Sequence, residues 1–275
     1  MKAYITLLCS ETYLPGVLAL HQSLRNSGTA YPLVVALSAD FPSAAETPLL
    51  QSGILIRRLP ESAAIPQEML GGNGHWGPTF NKIQLFGLIE FSKLVYVDSD
   101  MMVLSNIDEL FDRPHMSGVP AGRLVHPDWI RLNSGILVIE PQEQLVERIF
   151  ATLPQALAEV AALGGKNSGD QDLLNAYYPA WPNMPELELD QGYNVFQCFL
   201  DIHIEKHGYR LPDDKSGTGP AVKIVHFVGP HKPWMKGAVV RHYLRRLRRG
   251  QSVKWEAQLF SAYKKLLKDS AVPAH

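Results

Sequence analysis

The stretch Lys93-Leu94-Val95-Tyr96-Val97-Asp98-Ser99-Asp100 decides the predicted fold, because it joins a strand-forming run directly to two carboxylates. In an extended backbone residues i and i+2 point to the same side, so Asp98 and Asp100 can converge on one point. They follow a buried strand, and open α/β sheets bind ligands at the carboxyl ends of their strands. An isolated Asp-x-Asp is also typical of a solvated acidic loop. The strand before it favours a site for a hard divalent cation that neutralises a diphosphate.

The residues before this stretch alternate between strand and helix patterns. Strands are predicted at Ala3–Leu8, Leu33–Leu37 and Ile54–Ile56, and helices at Leu14–Leu24 and Pro42–Leu50. This order is typical of a parallel sheet covered by helices. The glycine-rich loop Gly71–Gly74 then separates this unit from a helix predicted over Lys82–Phe91.

The residues after the stretch are more mixed. The pattern predicts strands at Gly118–Ala121, Gly135–Ile139 and Val222–Phe227, helices at Gln142–Leu163 and Asp170–Tyr177, and an extended segment at Trp181–Glu188. Neither a repeat nor a dividing linker is evident. We therefore predict one catalytic domain over residues 1–236, followed by a basic helical tail over residues 237–275.

Composition excludes several classes of protein. The 275 residues are 46% hydrophobic and 19% charged, which is ordinary for a globular chain and excludes intrinsic disorder. With 26 basic and 27 acidic residues the net charge is -1, so no nucleic-acid partner is expected. Cys9 and Cys198 cannot build a disulfide framework or a cysteine zinc site, and they fit a reducing compartment. Without a recognisable signal peptide or membrane span, we expect a cytoplasmic protein.

Other candidate site residues lie in separate segments. His226 ends a predicted strand, and Gly229 and Lys232 follow in one short loop that suits a diphosphate. A histidine beside two carboxylates favours manganese over magnesium, because imidazole is a softer ligand than oxygen. Asp170 opens a short helix, where it could equally serve as an N-cap. The remaining candidates also fit an ordinary turn or a solvated helix, and they are Asn133, Ser134 and Lys82.

In order and spacing, these segments resemble the retaining glycosyltransferases of the glycogenin type, glycosyltransferase family 8. That family also contains bacterial lipooligosaccharide galactosyltransferases and plant galactinol synthases. The matching stretches cover the chain from about residue 3 to 235, and they are Thr6–Tyr13, Phe80–Lys82, Phe91–Asp100, Asn106–Phe111, Leu132–Gly135, Gly169–Asp172, Tyr193–Asn194 and His226–Trp234.

The resemblance implies a GT-A fold, an α/β nucleotide-binding sandwich whose mixed, mainly parallel sheet is flanked by helices. It implies a metal-dependent enzyme that moves a hexose from a UDP-sugar to an external glycan, glycolipid or polyol. Manganese, with magnesium as the alternative, would be held by Asp98, Asp100 and His226. Asp170 and Gln171 would lie nearest the reactive carbon, whether retention uses front-face attack or a covalent intermediate. The residues expected to contact the donor are Leu7, Cys9, Ser10, Tyr13, Lys82, Ser99, Asn133, Ser134, Gly229 and Lys232.

Three departures from the family pattern bear on substrate. Val125 stands where glycogenins carry an acid, with Asp128 nearby, and Asn167 replaces a second acid, so the identity of the hexose stays open. Glycogenins start their glucan on a tyrosine in the segment after the Tyr-Asn motif. Here that segment, Val195–His203, has no Tyr, Ser or Thr, which predicts that the chain does not glucosylate itself.

Two other classes of function fit parts of the pattern. A sugar-phosphate nucleotidyltransferase normally has a Gly-rich basic loop after its first strand, whereas Cys9–Thr12 contains neither a glycine nor a basic residue. A non-catalytic nucleotide-sugar-binding scaffold would be expected to have lost a metal ligand or Gln171. The five arginines between Arg241 and Arg249 predict either a helix packed on the catalytic domain or peripheral contact with the inner face of a membrane. A homodimer is compatible with the sequence.

Overall fold

A computed structural model describes residues 1–60, 77–165, 168–214, 218–250 and 253–270, so the loop Gly71–Gly74 and the departure at Asn167 lie outside it. The strands in these ranges are β1 (Lys2–Leu8), β2 (Leu33–Leu37), β3 (Leu55–Arg58), β4 (Lys93–Val97), β5 (Met101–Val103), β6 (Gly118–Val119), β7 (Asn133–Ile139), β8 (Val195–Phe196) and β9 (Ile224–His226).

Six of these strands form a central sheet in the order β3-β2-β1-β4-β7-β6. The first four run parallel to one another, whereas β7 is antiparallel to both β4 and β6. The predicted mixed, mainly parallel sheet is therefore confirmed. Because β1 and β4 are parallel neighbours, the loops that follow them meet at one carboxyl edge.

A second, three-stranded sheet in the order β5-β9-β8 stands beside this edge. Strand β5 pairs antiparallel with β9, and β8 pairs parallel with it. The sequence pattern predicted only β9, as part of a longer strand. Strands of two or three residues are too short to show a period, so β5 and β8 were missed.

The α-helices of the described residues are α1 (Leu14–Asn26), α2 (Thr47–Gln51), α3 (Leu145–Phe150), α4 (Leu153–Ala162), α5 (Asp170–Tyr177), α6 (Leu200–His207), α7 (Ala238–Arg248) and α8 (Lys254–Asp269). Two hydrophobic cores cover the two faces of the central sheet. Ile5 of β1 lies in the core that contains Leu173 of α5. Its neighbour Tyr4, which points to the other face of the sheet, lies in the core that contains Val17 of α1. This alternation follows from the two-residue period of a strand.

Three predicted elements have a different form. The single helix predicted over Gln142–Leu163 is two helices, α3 and α4, because Pro154 lies in the first turn of α4 and has no amide hydrogen to continue the ladder. The helix predicted over Lys82–Phe91 is a 3-10 helix over Gly77–Gly87. The segment Trp181–Glu188 is not extended, since it folds into two short 3-10 turns.

The end of the chain forms two helices, α7 and α8, where the sequence predicted a helical tail. Phe260 and Tyr263 of α8 are buried in one cluster with Phe227, which directly follows β9. The tail thus shares a core with the residues before it, and the division at residue 236 stays a prediction. No described helix has the length and apolar character that crossing a membrane requires.

Candidate active site

The two carboxylates of the opening stretch lie in a tight turn between the two sheets. Strand β4 ends at Val97, and the backbone amide of Met101 donates to the carbonyl of Asp98 at 3.1 Å, which begins β5. Strand β9 pairs with β5 in the register that places His226 opposite Met101. His226 Nε2 lies 3.2 Å from Asp100 Oδ1 and 3.9 Å from Asp98 Oδ2. The short second sheet thus brings together the three predicted metal ligands.

The donor set of this cluster fits a divalent cation. One ligand atom from each of Asp98, Asp100 and His226 lies within 4.8 Å of the others. Burial opposes ionisation of Asp100, but the neighbouring His226 and Lys232 lower its pKa below the ordinary value. Burial and the nearby Asp100 instead raise the pKa of Asp98. A cation between two carboxylates and an imidazole nitrogen would remove that repulsion, and this ligand set suits manganese or magnesium.

Lys82 ties the cluster to the start of α5. Its Nζ lies 2.7 Å from Asp170 Oδ2 and 3.3 Å from Asp98 Oδ1, and it donates to the carbonyl of Ser134 at 3.1 Å. Burial disfavours the ammonium, but Asp170 and Asp98 outweigh it and raise the pKa of Lys82. The lysine is therefore a fixed positive charge between two carboxylates, in contrast to the solvated lysine that its sequence position also allowed.

The role of Asp170 differs from simple helix capping. The carboxylate of Asp172 takes that part, since it accepts from the amide of Gly169 at 3.0 Å. Asp170 is the first residue of α5, and its side chain is buried against Lys82. The buried carboxylate faces the cluster, whereas an N-cap would face the helix amides.

A chain of three amides connects Gln171 with His226. Gln171 Oε1 accepts from Asn133 Nδ2 at 2.9 Å, and Asn133 Oδ1 accepts from Asn194 Nδ2 at 2.7 Å. Asn194 Oδ1 then lies 3.0 Å from His226 Nδ1. With its amide nitrogen committed to Asn133, Asn194 turns an acceptor toward Nδ1, so Nε2 of His226 is the nitrogen left to coordinate a cation held by the two carboxylates. The sequence identified Asn194 only as part of a motif, because this orienting role depends on the fold.

Lys232 links the cluster to Tyr13, one of the residues expected to contact the donor. Its Nζ lies 2.6 Å from Asp100 Oδ2 and 5.9 Å from the centre of the Tyr13 ring. Trp234 packs its ring edge-on to Tyr13 at 5.7 Å, donates from Nε1 to the carbonyl of Thr12 at 2.8 Å, and stacks on Tyr263 of α8 at 6.0 Å. The loop after β9 is thereby fastened to the loop after β1.

The other predicted donor contacts lie along the same edge but take local roles. Ser10 Oγ accepts from the amide of Thr12, and Asn81 Nδ2 donates to Cys9 Sγ at 3.6 Å. Leu7 is partly buried in β1, and Ser99 is buried in the turn between the carboxylates. Gly229 has φ +92°, which a side chain would strain, so the loop after β9 requires glycine there.

Comparison with known proteins gives a family. The family model described as glycosyl transferase family 8 matches residues 127–238, the segment that contains Asn133, Gln171 and His226. Glycogenin-1 of Mus musculus is 30% identical over 237 residues, which are 85% of this chain and 65% of that protein. The chain belongs to glycosyltransferase family 8. The family consists of retaining UDP-sugar transferases.

Other members of glycosyltransferase family 8 differ in size and named substrate. Inositol phosphorylceramide glucuronosyltransferase 1 of Arabidopsis thaliana is 26% identical over 248 residues, which are 84% of this chain and 42% of that protein. This chain thus spans less than two thirds of the length of these curated relatives.

Solved structures of glycosyltransferases share the fold. The galactosyltransferase LgtC, in complex with donor and acceptor sugar analogues, aligns with a TM-score of 0.66 at 16% identity and covers 99% of this chain and 98% of its own. GlyE of Streptococcus pneumoniae aligns with a TM-score of 0.56 over 98% of this chain and 63% of its own. At this identity the likeness establishes the GT-A architecture alone.

Proposed function

We propose that this chain is a metal-dependent hexosyltransferase that moves a hexose from a UDP-sugar to an external acceptor. One observation carries the proposal. Asp98, Asp100 and His226 converge within 4.8 Å between two lysines, Lys82 and Lys232, at the carboxyl edge of the sheet. A sugar–phosphate bond breaks with negative charge developing on the leaving diphosphate, and this arrangement concentrates positive charge where a diphosphate can bind.

Each part of the site has a task in that reaction. Asp98, Asp100 and His226 would hold the cation, manganese or alternatively magnesium, which when bound neutralises the diphosphate. Lys232, now on Asp100 Oδ2, is long and flexible enough to turn its ammonium to a phosphate oxygen. Lys82 fixes Asp170 beside Gln171 at the start of α5, the position from which a protein group can meet the reactive carbon. Front-face attack and a covalent intermediate both use this geometry.

Release of UDP tests the proposal. The purified chain would be incubated with UDP-glucose or UDP-galactose, with and without manganese, across neutral glycans, a glycolipid and myo-inositol. We expect manganese-dependent UDP release that an acceptor stimulates. No UDP release from either donor under any of these conditions would contradict the assignment as a hexosyltransferase.

The acceptor is expected to be an external molecule, not this chain. Within β8 and the start of α6, where glycogenins would carry the acceptor tyrosine, no hydroxyl side chain is present. The Tyr193 hydroxyl is engaged by Glu109 at 2.5 Å, and the Tyr178 hydroxyl by His115 at 3.0 Å. Intact-mass spectrometry after incubation with either UDP-hexose and manganese should show an unchanged mass. A ladder of hexose additions that is absent in Asp100→Asn would contradict this expectation.

Helix α7 supports peripheral binding to an anionic membrane. Arg241, Arg245, Arg248 and Arg249 line a shallow concavity of about 360 Å³ with Leu244, and Leu247 is also exposed. Arg246, the fifth arginine of this run, turns inward and pairs with Asp201 at 2.6 Å. Leu259, Phe260, Tyr263 and Leu266 of α8 are buried in the core and do not add to this surface. This helix favours a location in the cytoplasm, on the inner face of a membrane.

Sedimentation with vesicles measures that contact. Phosphatidylcholine vesicles containing phosphatidylglycerol should recover more protein than phosphatidylcholine alone, because each basic residue near such a surface contributes about 1 kcal/mol. Changing Arg241, Arg245 and Arg248 together to Gln should weaken binding by about tenfold or more. The matched control changes three exposed lysines of α8, Lys264, Lys265 and Lys268, to Gln and removes the same charge. Equal recovery on both kinds of vesicle would exclude the membrane contact.

A further inference from the structure

An exposed tryptophan is held rigidly in the segment between β6 and β7. The Trp129 ring stacks on His126 with ring centres 4.2 Å apart and planes inclined by 27°. The amide of His126 donates to the carbonyl of Gly122, and the amide of Trp129 donates to the carbonyl of His126, both at 2.9 Å. Gly122 has φ +88°, and a Cβ there would come within 2.7 Å of the indole. The backbone is thus shaped to accept the ring at this place.

This fixed ring is not used to fill the core. Trp129 remains 46% exposed, and the next residue, Ile130, 45% exposed. An aromatic ring that is covered on one face and immobilised before any ligand arrives loses little conformational entropy on binding. Exposed large apolar groups that are rigid and adjacent mark a binding surface more often than isolated ones do.

A row of aromatic rings leads from this surface to the candidate metal cluster. Trp129 lies 6.3 Å from Phe199, Phe199 lies 5.9 Å from Phe196, and Phe196 lies 5.5 Å from His226, between ring centres. Trp129 is also four residues before Asn133, at the start of β7. A sugar on the indole would therefore lie at one end of this row of rings, and the candidate metal cluster, where the hexose would be transferred, lies at the other end.

We propose that Trp129, stacked on His126 and backed by Phe199, is the binding platform for a neutral glycan acceptor, an inference that rests on the proposed hexosyltransferase function. The two faces of a pyranose ring carry C–H groups that pack against an aromatic face, while its hydroxyls point outward to polar neighbours. The two arginines closest to Trp129 in the chain are already paired: Arg123 lies 2.8 Å from Glu188, and Arg131 lies 3.6 Å from Glu159. Neither arginine is left to bind an anion, and the exposed carboxylate of Asp128 lies next to Trp129 in the chain, so the platform favours a neutral sugar over an anionic one.

Kinetics with external glycans test the platform. Lactose, maltotriose and cellotriose serve as probes, with UDP-glucose or UDP-galactose as donor. Trp129→Ala should raise the KM for the accepted glycan by about tenfold, with kcat, donor affinity and acceptor-free UDP release within about twofold of the parent. Trp129→Tyr should restore most of the loss, because it returns an aromatic face. The matched control Leu163→Ala removes an exposed apolar side chain from the end of α4 and should leave the acceptor KM unchanged.

Binding of the same sugars, measured without turnover, separates this proposal from the proposed function. The chain has five tryptophans, so indole N–H signals of labelled protein can be assigned by the one that Trp129→Tyr removes. At millimolar concentration at least one probe should shift the Trp129 signal even if no variant releases UDP. An unshifted signal with all three probes, a shift caused only by phospholipid vesicles, or a parental acceptor KM in Trp129→Ala would overturn the platform.

Discussion

Replacing Asp100 with asparagine is expected to slow hexose transfer by about a thousandfold, since a bound cation contributes several kcal/mol of charge stabilisation in the transition state. Asp100 has one oxygen 3.2 Å from His226 Nε2 and the other 2.6 Å from Lys232. The amide keeps the shape of the side chain but lacks the negative charge that a hard cation prefers. Both the transfer rate and the fraction of manganese bound to the donor-free chain, measured by electron paramagnetic resonance, should fall.

Asp112→Asn is the matched control for this substitution. Its carboxylate is largely exposed and lies 3.8 Å from Lys2, which stands at the amino ends of β1 and β4, whereas the cluster follows the carboxyl end of β4. Transfer and manganese binding should equal those of the parent. Near-parental turnover of Asp100→Asn at saturating manganese would show that Asp100 is not a ligand, and the same substitution at Asp98 tests the other carboxylate.

Replacing Lys82 with methionine is expected to lower kcat by about a hundredfold to a thousandfold, the range for loss of one preorganised electrostatic group. The ammonium lies between Asp98 and Asp170, and its charge lowers the pKa of Asp98 against the raising effect of burial. Without it the pKa of Asp98 should rise further, and a protonated Asp98 would be a poor ligand for a cation. The variant should therefore recover part of its activity as the pH is raised.

Stability and activity can be separated for this variant. Removing one partner of a buried pair costs about 3–5 kcal/mol, so a lower melting temperature is expected alongside the lower rate. Transfer is then measured well below the melting temperature, per folded molecule, with Lys264→Met at an exposed position of α8 as the control. A folded Lys82→Met with activity within tenfold of the parent and an unchanged pH profile would exclude this role.

The parallel half of the fold could be predicted because its central strands, β1, β2 and β4, are almost wholly apolar runs. Leu33–Leu37 and Lys93–Val97 have the predicted bounds. The break between α3 and α4 could not, because the apolar periodicity continues across it and a proline in a first helical turn looks the same as one in a kink. The 3-10 helix Gly77–Gly87 has apolar spacings that an α-helix would share, so only its hydrogen bonds distinguish it.

The candidate site was predictable wherever a motif was local. Asp98 and Asp100 lie on one turn, and Asp170 and Gln171 begin one helix, so short patterns and a family resemblance indicated them. The orientation of His226 by Asn194 depends on the pairing of β8 with β9, which no local pattern reveals. Trp129 was missed for a related reason, since one tryptophan in an irregular segment carries no period and Phe199, which backs its ring, comes from a distant turn.

The contacts of Trp234 make the donor edge and the end of the chain one cooperative unit. The indole is held on one side by the carbonyl of Thr12 and on the other by the ring of Tyr263, which is buried in α8. Local opening of α8 would therefore release Trp234 and, with it, the ring that packs on Tyr13. The loop after β1, which would bind the nucleotide, thus takes part of its rigidity from α8, a helix distant in the sequence. Residues of α8 that do not contact a substrate would therefore influence how tightly the nucleotide is bound.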